Sequence, residues 1–284
     1  MKTRRIAINS AAHVLLGVLS LIWVLPIAFA VLTSLRAESG AEKSYIIPEA
    51  FTLSNYTNLF TTGVGVLNYQ RWFVNTLIVA TASCLLSAFF ILCVAYTMSR
   101  LRFRMRKPFM NIALILGMFP GFMSMIAVYY ILKGFGLLDT GASSLFALVL
   151  VYSGGAGLGF YITKGFFDTI PKSLDEAASL DGCSNWQIFT KITIPLSKPI
   201  AVYTLIVSFM APWTDYIFAK VIMGQNRDYY TIAIGLWTML EREFISTYYT
   251  QFFAGCVLIS IPIATLFLLT QKFYAESLAG GVKG

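Results

Sequence analysis

Charge is what this chain has least of. Asp, Glu, Lys and Arg together make up 12% of the residues, against a hydrophobic share of 57%. Soluble domains carry roughly 25% charged and 45–50% apolar residues. So little charge cannot coat a water-exposed globule, which leaves a membrane protein as the default. Histidine is nearly missing too: His13 is the only one, so no histidine-based metal or acid–base centre can be assembled. Cys84, Cys93, Cys183 and Cys256 show no C-x-x-C or other ligand spacing, and three of them lie inside apolar runs as small hydrophobes. No glycine precedes a lysine anywhere. That excludes the G-x-x-x-x-G-K-[ST] phosphate loop, and ATP hydrolysis by that route. The glycine run Gly154-Gly155-Ala156-Gly157-Leu158-Gly159 has Phe160 where G-x-G-x-x-G needs its last glycine. It reads as close helix packing in a membrane instead.

What is there is a series of long apolar segments. Six can be drawn: Ala11–Leu35, Phe73–Met98, Phe109–Leu132, Ala142–Thr163, Ile200–Met223 and Phe252–Gln271. Each reaches the ~20 residues needed to cross hydrocarbon. In lipid every backbone N–H and C=O must be paired internally, so runs of this length are expected as helices. The alternating ten-residue pattern of a membrane barrel is absent. Ala28-Phe29-Ala30 imitates a signal-peptidase site, but the run before it exceeds the roughly 7–15 residues of a secretory signal core. The first segment is therefore expected to stay as a membrane helix.

The net charge of +8 does not point to nucleic acid, because the basic residues sit in short stretches between apolar runs. They read as topology signals. Lys2, Arg4, Arg5, the Arg100–Lys107 cluster, Lys164, Lys172, Lys191, Lys198, Lys272 and Lys283 fall on one side. Arg36, Lys43, Arg71, Lys133, Lys220, Arg227 and Arg242 fall on the other. The excess on the first side places both termini and the second and fourth loops in the cytoplasm. Arg100–Lys107 is then a topology anchor against anionic lipid, and Lys220 is expected to snorkel outward. Two longer external segments, 36–72 and 224–251, are connectors or landing surfaces for a soluble partner.

The loop between the fourth and fifth spans, 164–199, is unusually well punctuated. Ser173-Leu174-Asp175-Glu176 has the form of a capping box, as does Ser184-Asn185-Trp186-Gln187. Between them Gly182 suits a left-handed helix stop, and Pro195 and Pro199 are expected to end the second helix. Two short helices with an exposed apolar face outside the membrane suggest a docking partner.

Glu176, Ala177 and Ala178, then Gly182, Ile192, Ile194 and Pro195 at their spacings closely resemble the EAA loop of ABC-importer permeases, with Ile194 where the family usually has Leu. The resemblance extends along most of the chain. The Ala211–Tyr216 stretch and the tail Gly280, Gly281, Val282, Lys283 and Gly284 look like maltose/maltodextrin permeases of the MalG type. It implies an all-α type-1 importer permease with six transmembrane helices and a cytoplasmic coupling helix, set in a bacterial inner membrane. The implied assembly pairs the chain with a homologous MalF-type permease and two ATPase subunits that hold ATP and Mg. An extracytoplasmic sugar-binding protein delivers the sugar near 225–249. No cofactor is implied in this chain itself. In that family the EAA loop fits a cleft of the ATPase, and the C-terminal tail is a second contact with it. The corresponding division is 1–72 for the first helix and external loop, 73–271 for the permease core, and 272–284 for the tail.

Asp215 is an ionisable residue inside a span and so a functional candidate. With Trp213 and Tyr216, after Pro212, it either lines the substrate path or joins the two permease chains by hydrogen bonds. An ion-coupled secondary transporter would want paired charges in related halves, and Asp215 has no obvious counterpart. A membrane scaffold without transport would not need the full loop pattern.

Overall fold

The structure, a computed structural model, describes residues 2–41, 47–61, 67–155 and 159–280. Among them the chain is helical, with a lone antiparallel bridge between Arg36 and Phe51. The helices are α1 (Lys2–Ser34), α2 (Ser54–Thr61), α3 (Tyr69–Arg100), α4 (Arg106–Gly117), α5 (Gly121–Gly134), α6 (Gly141–Gly155) and α7 (Gly159–Asp168). They continue with α8 (Lys172–Leu180), α9 (Asn185–Leu196), α10 (Lys198–Thr214), α11 (Ile217–Met223), α12 (Ile232–Met239) and α13 (Ile245–Gly280). Among the described residues four helical stretches are long and apolar enough to cross a membrane, and up to six if each of two bent pairs is one span.

The departures from six plain helices have local causes. The expected third span is the pair α4 and α5, bent by 101°. The bend falls between Gly117 and Gly121, where Pro120 lacks the N–H that would carry the ladder through. The expected fifth span is also interrupted: α10 stops at Thr214, Asp215 is extended (φ −82°, ψ 108°), and α11 restarts at Ile217. Pro212 lies inside α10 and removes one hydrogen bond a turn before the stop. Pro195 does not end α9. The helix passes through it to Leu196 by way of a π-helical turn at Phe189–Thr193, and the chain then bends 86° into α10. The wider turn accommodates the missing proline N–H.

The chain forms two compact units, 1–70 with 236–261, and 71–235 with 262–284. In the first, Asn55 ties the end of α1 to α13. Its Nδ2 donates to Ser34 O (2.9 Å) and Arg36 O (2.7 Å), while its Oδ1 accepts from Thr250 (2.9 Å). Arg36, expected as an external charge, is buried there. It donates to the carbonyls of Glu38 and Gly40 and lies over the Tyr249 ring.

In the second unit, Trp72 near the start of α3 is fully buried and donates to Arg227 O (3.3 Å). Asn75 donates to Asp228 O and Tyr230 O, and Thr76 Oγ1 accepts from Ile232 N–H (2.7 Å). These bonds fix the approach to α12, whose Gly235 lies against the Trp72 ring. Lys220 Nζ donates to the Tyr230 hydroxyl at 2.6 Å and sits over that ring. Ile91, Ala95 and Tyr96 of α3 pack with Phe160, Phe167, Ile170, Phe189 and Ile200 in one core cluster. That cluster joins the membrane helices to the α8–α9 segment.

Candidate functional site

The segment 164–199 folds into a knob of two short helices. α8 starts after Pro171, whose extended backbone (ψ 128°) makes it the N-cap. Ser173 is then the second helical residue, too far in to cap, and no side chain caps this end. The first expected capping box is therefore not formed. Proline one position before the helix holds Ile170 out of the helical region and moves the start upstream.

The far end of α8 follows the sequence closely. Gly182 adopts φ +81°. Its N–H reaches Ser179 O (3.1 Å) and that of Cys183 reaches Ala178 O (3.0 Å). This is a Schellman stop, with its two nested bonds and a glycine in the left-handed position. The second capping box also forms. Ser184 Oγ accepts from Gln187 N–H (3.3 Å) and Gln187 Oε1 accepts from Ser184 N–H (2.8 Å).

Two consecutive local devices thus set the angle between α8 and α9. Ala178 and Ile188 face inward, while Glu176 and Ala177 are exposed. Leu180 is 89% and Trp186 59% exposed, an apolar pair at the tip that water does not favour. Ile192 is half-buried in the π turn and Pro195 is exposed beyond it.

The knob is pinned to the last two turns of α3. Tyr96 donates to Asn185 O (3.1 Å) and its ring packs on Phe189 at 4.9 Å. Arg100, one turn on, is 4% exposed at its side chain. Its Nη2 donates to Phe167 O (2.8 Å) and Ile170 O (2.9 Å). Its Nε lies 3.2 Å from Asp175 Oδ2 as an ion pair, without the alignment of a hydrogen bond. Ser99 adds a bond to Asp168 Oδ1 (2.6 Å), whose other oxygen holds Lys164 at 2.6 Å. Arg100 is therefore not the lipid-facing anchor expected from the basic cluster, whereas Arg102, Arg104 and Lys107 are exposed. A groove of about 470 Å³ runs between these pins, with Tyr96, Arg100, Asp175, Glu176, Leu180 and Asn185 in its lining.

Sequence reasoning missed Tyr96, Arg100 and Asp175 as parts of this site. Their one legible sign was the four-residue spacing of Tyr96 and Arg100, which puts both on one helix face.

Around the interruption after α10, Trp213 is buried against Phe73 and Phe209. Asp215 Oδ2 accepts from the Tyr152 hydroxyl (2.7 Å), and Oδ1 accepts from Phe218 N–H (3.0 Å), closing the first turn of α11. Both carboxylate oxygens are thus engaged within the chain, and Tyr216 is half-buried beside them. Nothing brings this trio near the knob residues. Of the tail residues, Gly281, Val282, Lys283 and Gly284 lie outside the described residues, while Gly280 ends α13. In the glycine run, 156–158 lie outside them as well. Gly159 packs closely on Ile91, and Gly154 has open space where a Cβ would be.

Among the described residues no group of His, Cys, Asp and Glu side chains could hold a metal ion. The family model described as binding-protein-dependent transport system inner membrane component matches residues 88–279, which span α3 to α13. The galactooligosaccharides transport system permease protein GanQ of Bacillus subtilis (strain 168) is 34% identical, with 100% of this chain and 99% of that protein aligned. The maltodextrin transport system permease protein MdxG of the same strain is 31% identical over 99% of each. A crystal structure of a bacterial ABC transporter involved in the import of the acidic polysaccharide alginate superposes with a TM-score of 0.77. It covers 96% of this chain and 98% of that one at 23% identity, a likeness of fold.

Proposed function

Because this chain belongs to the binding-protein-dependent transport system inner membrane components, we propose that its knob is the surface on which a separate ATPase acts. The chain is a permease subunit of an ABC importer and not an enzyme. The observation that carries the proposal is the exposed, rigidly angled pair of helices α8 and α9. Glu176, Ala177 and Gly182 lie on the outward side, with Leu180 and Trp186 at the tip. A lever needs a fixed angle and an apolar tip, and the Schellman stop and capping box supply the first. Ala178 and Ile192 support it from within, and Pro195 is exposed at the end of α9.

In this reading both termini and the knob are cytoplasmic, as the Lys and Arg distribution favours. A MalF-type permease chain completes the pore, and two ATPase subunits hold the ATP and Mg. The tail 280–284 adds a contact with them. An extracytoplasmic binding protein brings an oligosaccharide, of the maltodextrin type by the Ala211–Tyr216 stretch and the tail. The names of GanQ and MdxG support the oligosaccharide class. The test is to purify the chain with whatever copurifies, reconstitute it, and measure sugar uptake against ATP. We expect a second permease and an ATPase in the complex, and ATP-dependent uptake of maltodextrins. Uptake driven by an ion gradient with no ATPase present would overturn the reading.

The Trp213–Asp215–Tyr216 segment is proposed as part of the sugar path, because interrupted helices at membrane depth are tolerated where they line a cavity or are buried in protein. Asp215→Asn keeps an oxygen for Phe218 N–H and offers an N–H₂ to the Tyr152 oxygen. The complex is therefore expected to assemble normally while uptake changes by a factor of a few. Failure to assemble would make Asp215 a joint of the structure and not a path residue.

A further inference from the structure

From the geometry at the end of α3 we infer that Arg100 is the positioning residue that transmits movement of the knob to the membrane helices. This rests on the coupling function proposed above and names the parts that carry it. One guanidinium binds three separate elements. Its Nη2 holds the carbonyl of Phe167 near the end of α7 and that of Ile170 in the turn before α8. Its Nε faces the carboxylate of Asp175 in the first turn of α8 at 3.2 Å.

The side chain is 4% exposed, so these attractions act where water screens them little. Arg100 itself is the last residue of α3. A displacement of α8 therefore cannot leave α7 and α3 behind without separating a buried charge from its partners, the costly way to break such a contact. Arginine suits the task because its planar fork reaches several acceptors at once, where a lysine is a single point charge.

Tyr96 serves the other half of the knob. It stands four residues earlier on the same face of α3 and donates to Asn185 O at the start of α9. The knob is thus held at two posts on one helix, one for each of its short helices. Between them lies the 470 Å³ groove, which leaves the tip unsupported and free to be seized by a partner. The neighbouring Arg102, Arg104 and Lys107 share the charge of Arg100 but are exposed, and among the described residues they form no ion pair. Within the cluster Arg100 is thus set apart from the exposed Arg102, Arg104 and Lys107, while Arg106 is half-buried.

The experiment uses the whole complex in proteoliposomes and reads sugar taken up per ATP hydrolysed. The variants are Arg100→Gln, Asp175→Asn and their combination. The ATPase is expected to copurify at the wild-type ratio in all three. Arg100→Gln is expected to lower uptake per ATP by about tenfold while ATP hydrolysis continues. Asp175→Asn, which spares the two carbonyl bonds, should lower it by a smaller factor. The double variant should fall no further than Arg100→Gln, since residues acting through one contact are not additive.

Unchanged uptake per ATP in Arg100→Gln would overturn the inference. So would single losses that multiply in the double variant. If Arg100→Gln fails to accumulate, Asp175→Asn decides alone: lowered uptake per ATP supports the inference and wild-type coupling overturns it. A wild-type complex that holds no ATPase would remove the coupling function itself, an outcome distinct from any of these.

Discussion

Replacing Gly235 with alanine is expected to remove most of the folded protein from the membrane. A Cβ at that position would lie 2.0 Å from the Trp72 ring, with two more ring atoms within 2.6 Å. No flexible side-chain end is available to move aside. Trp72 is 1% exposed and its indole N–H is committed to Arg227 O, while Gly235 sits inside α12. Overpacking a filled core costs about 1–3 kcal/mol and occasionally more, and this clash belongs at the upper end of that range. Domains of ordinary stability have only about 5–15 kcal/mol in hand. The measurement is the amount of monodisperse protein extracted in detergent, compared with wild type. Recovery equal to wild type would show that the indole can turn away, and that the bonds of α3 to residues 227–232 do not hold it.

The second large effect is expected at Gly182, for a different physical reason. Here the space beside the residue is open, with no atom within 4 Å of a built Cβ. Only the backbone objects: φ is +81°, and a residue with a side chain pays about 1–2 kcal/mol to stay left-handed. A β-branched residue pays most and asparagine least. Gly182→Val should therefore release the Schellman stop, swing Leu180 relative to Trp186, and reduce uptake by about tenfold or more with the membrane helices intact. Gly182→Asn should retain most of the activity. The check is uptake by both variants at matched protein levels. Equal damage by valine and asparagine would mean that bulk, not conformation, is what the position forbids.

Gly182 and Ser184 were legible in the sequence because their geometry is decided within three or four residues. A left-handed stop asks for glycine, and a capping box is closed by two side chains in one turn. The apolar spans were legible for a similar reason, since lipid permits little but helix. The errors arose where two local rules competed. Ser173–Glu176 satisfied the capping-box pattern, but Pro171 set the helix start first. Pro195 looked like a terminator, but the π turn at Phe189–Thr193 carries the helix past it. Arg100 was illegible for a third reason. Its partners are the carbonyls of Phe167 and Ile170 and the carboxylate of Asp175, about seventy residues away in the chain. Nothing in the run Arg100–Lys107 separates Arg100 from the exposed Arg102, Arg104 and Lys107. The partners of Lys220 and Arg36 were illegible on the same account, since Tyr230 and the Glu38 and Gly40 carbonyls become their neighbours only through folding.

The π turn within α9 has a meaning for the rotational phase of the molecule. A π turn closes on the fifth residue where an α turn closes on the fourth, so it takes in one residue more while winding through about the same angle. Deleting a single residue between Phe189 and Thr193 would therefore let this segment close into α-helix with Trp186 in nearly its present direction. An added residue that the ladder does not absorb would instead turn Trp186 by about 100°. The π turn is thus slack taken up in the ladder, and the helix on either side of it stays in step.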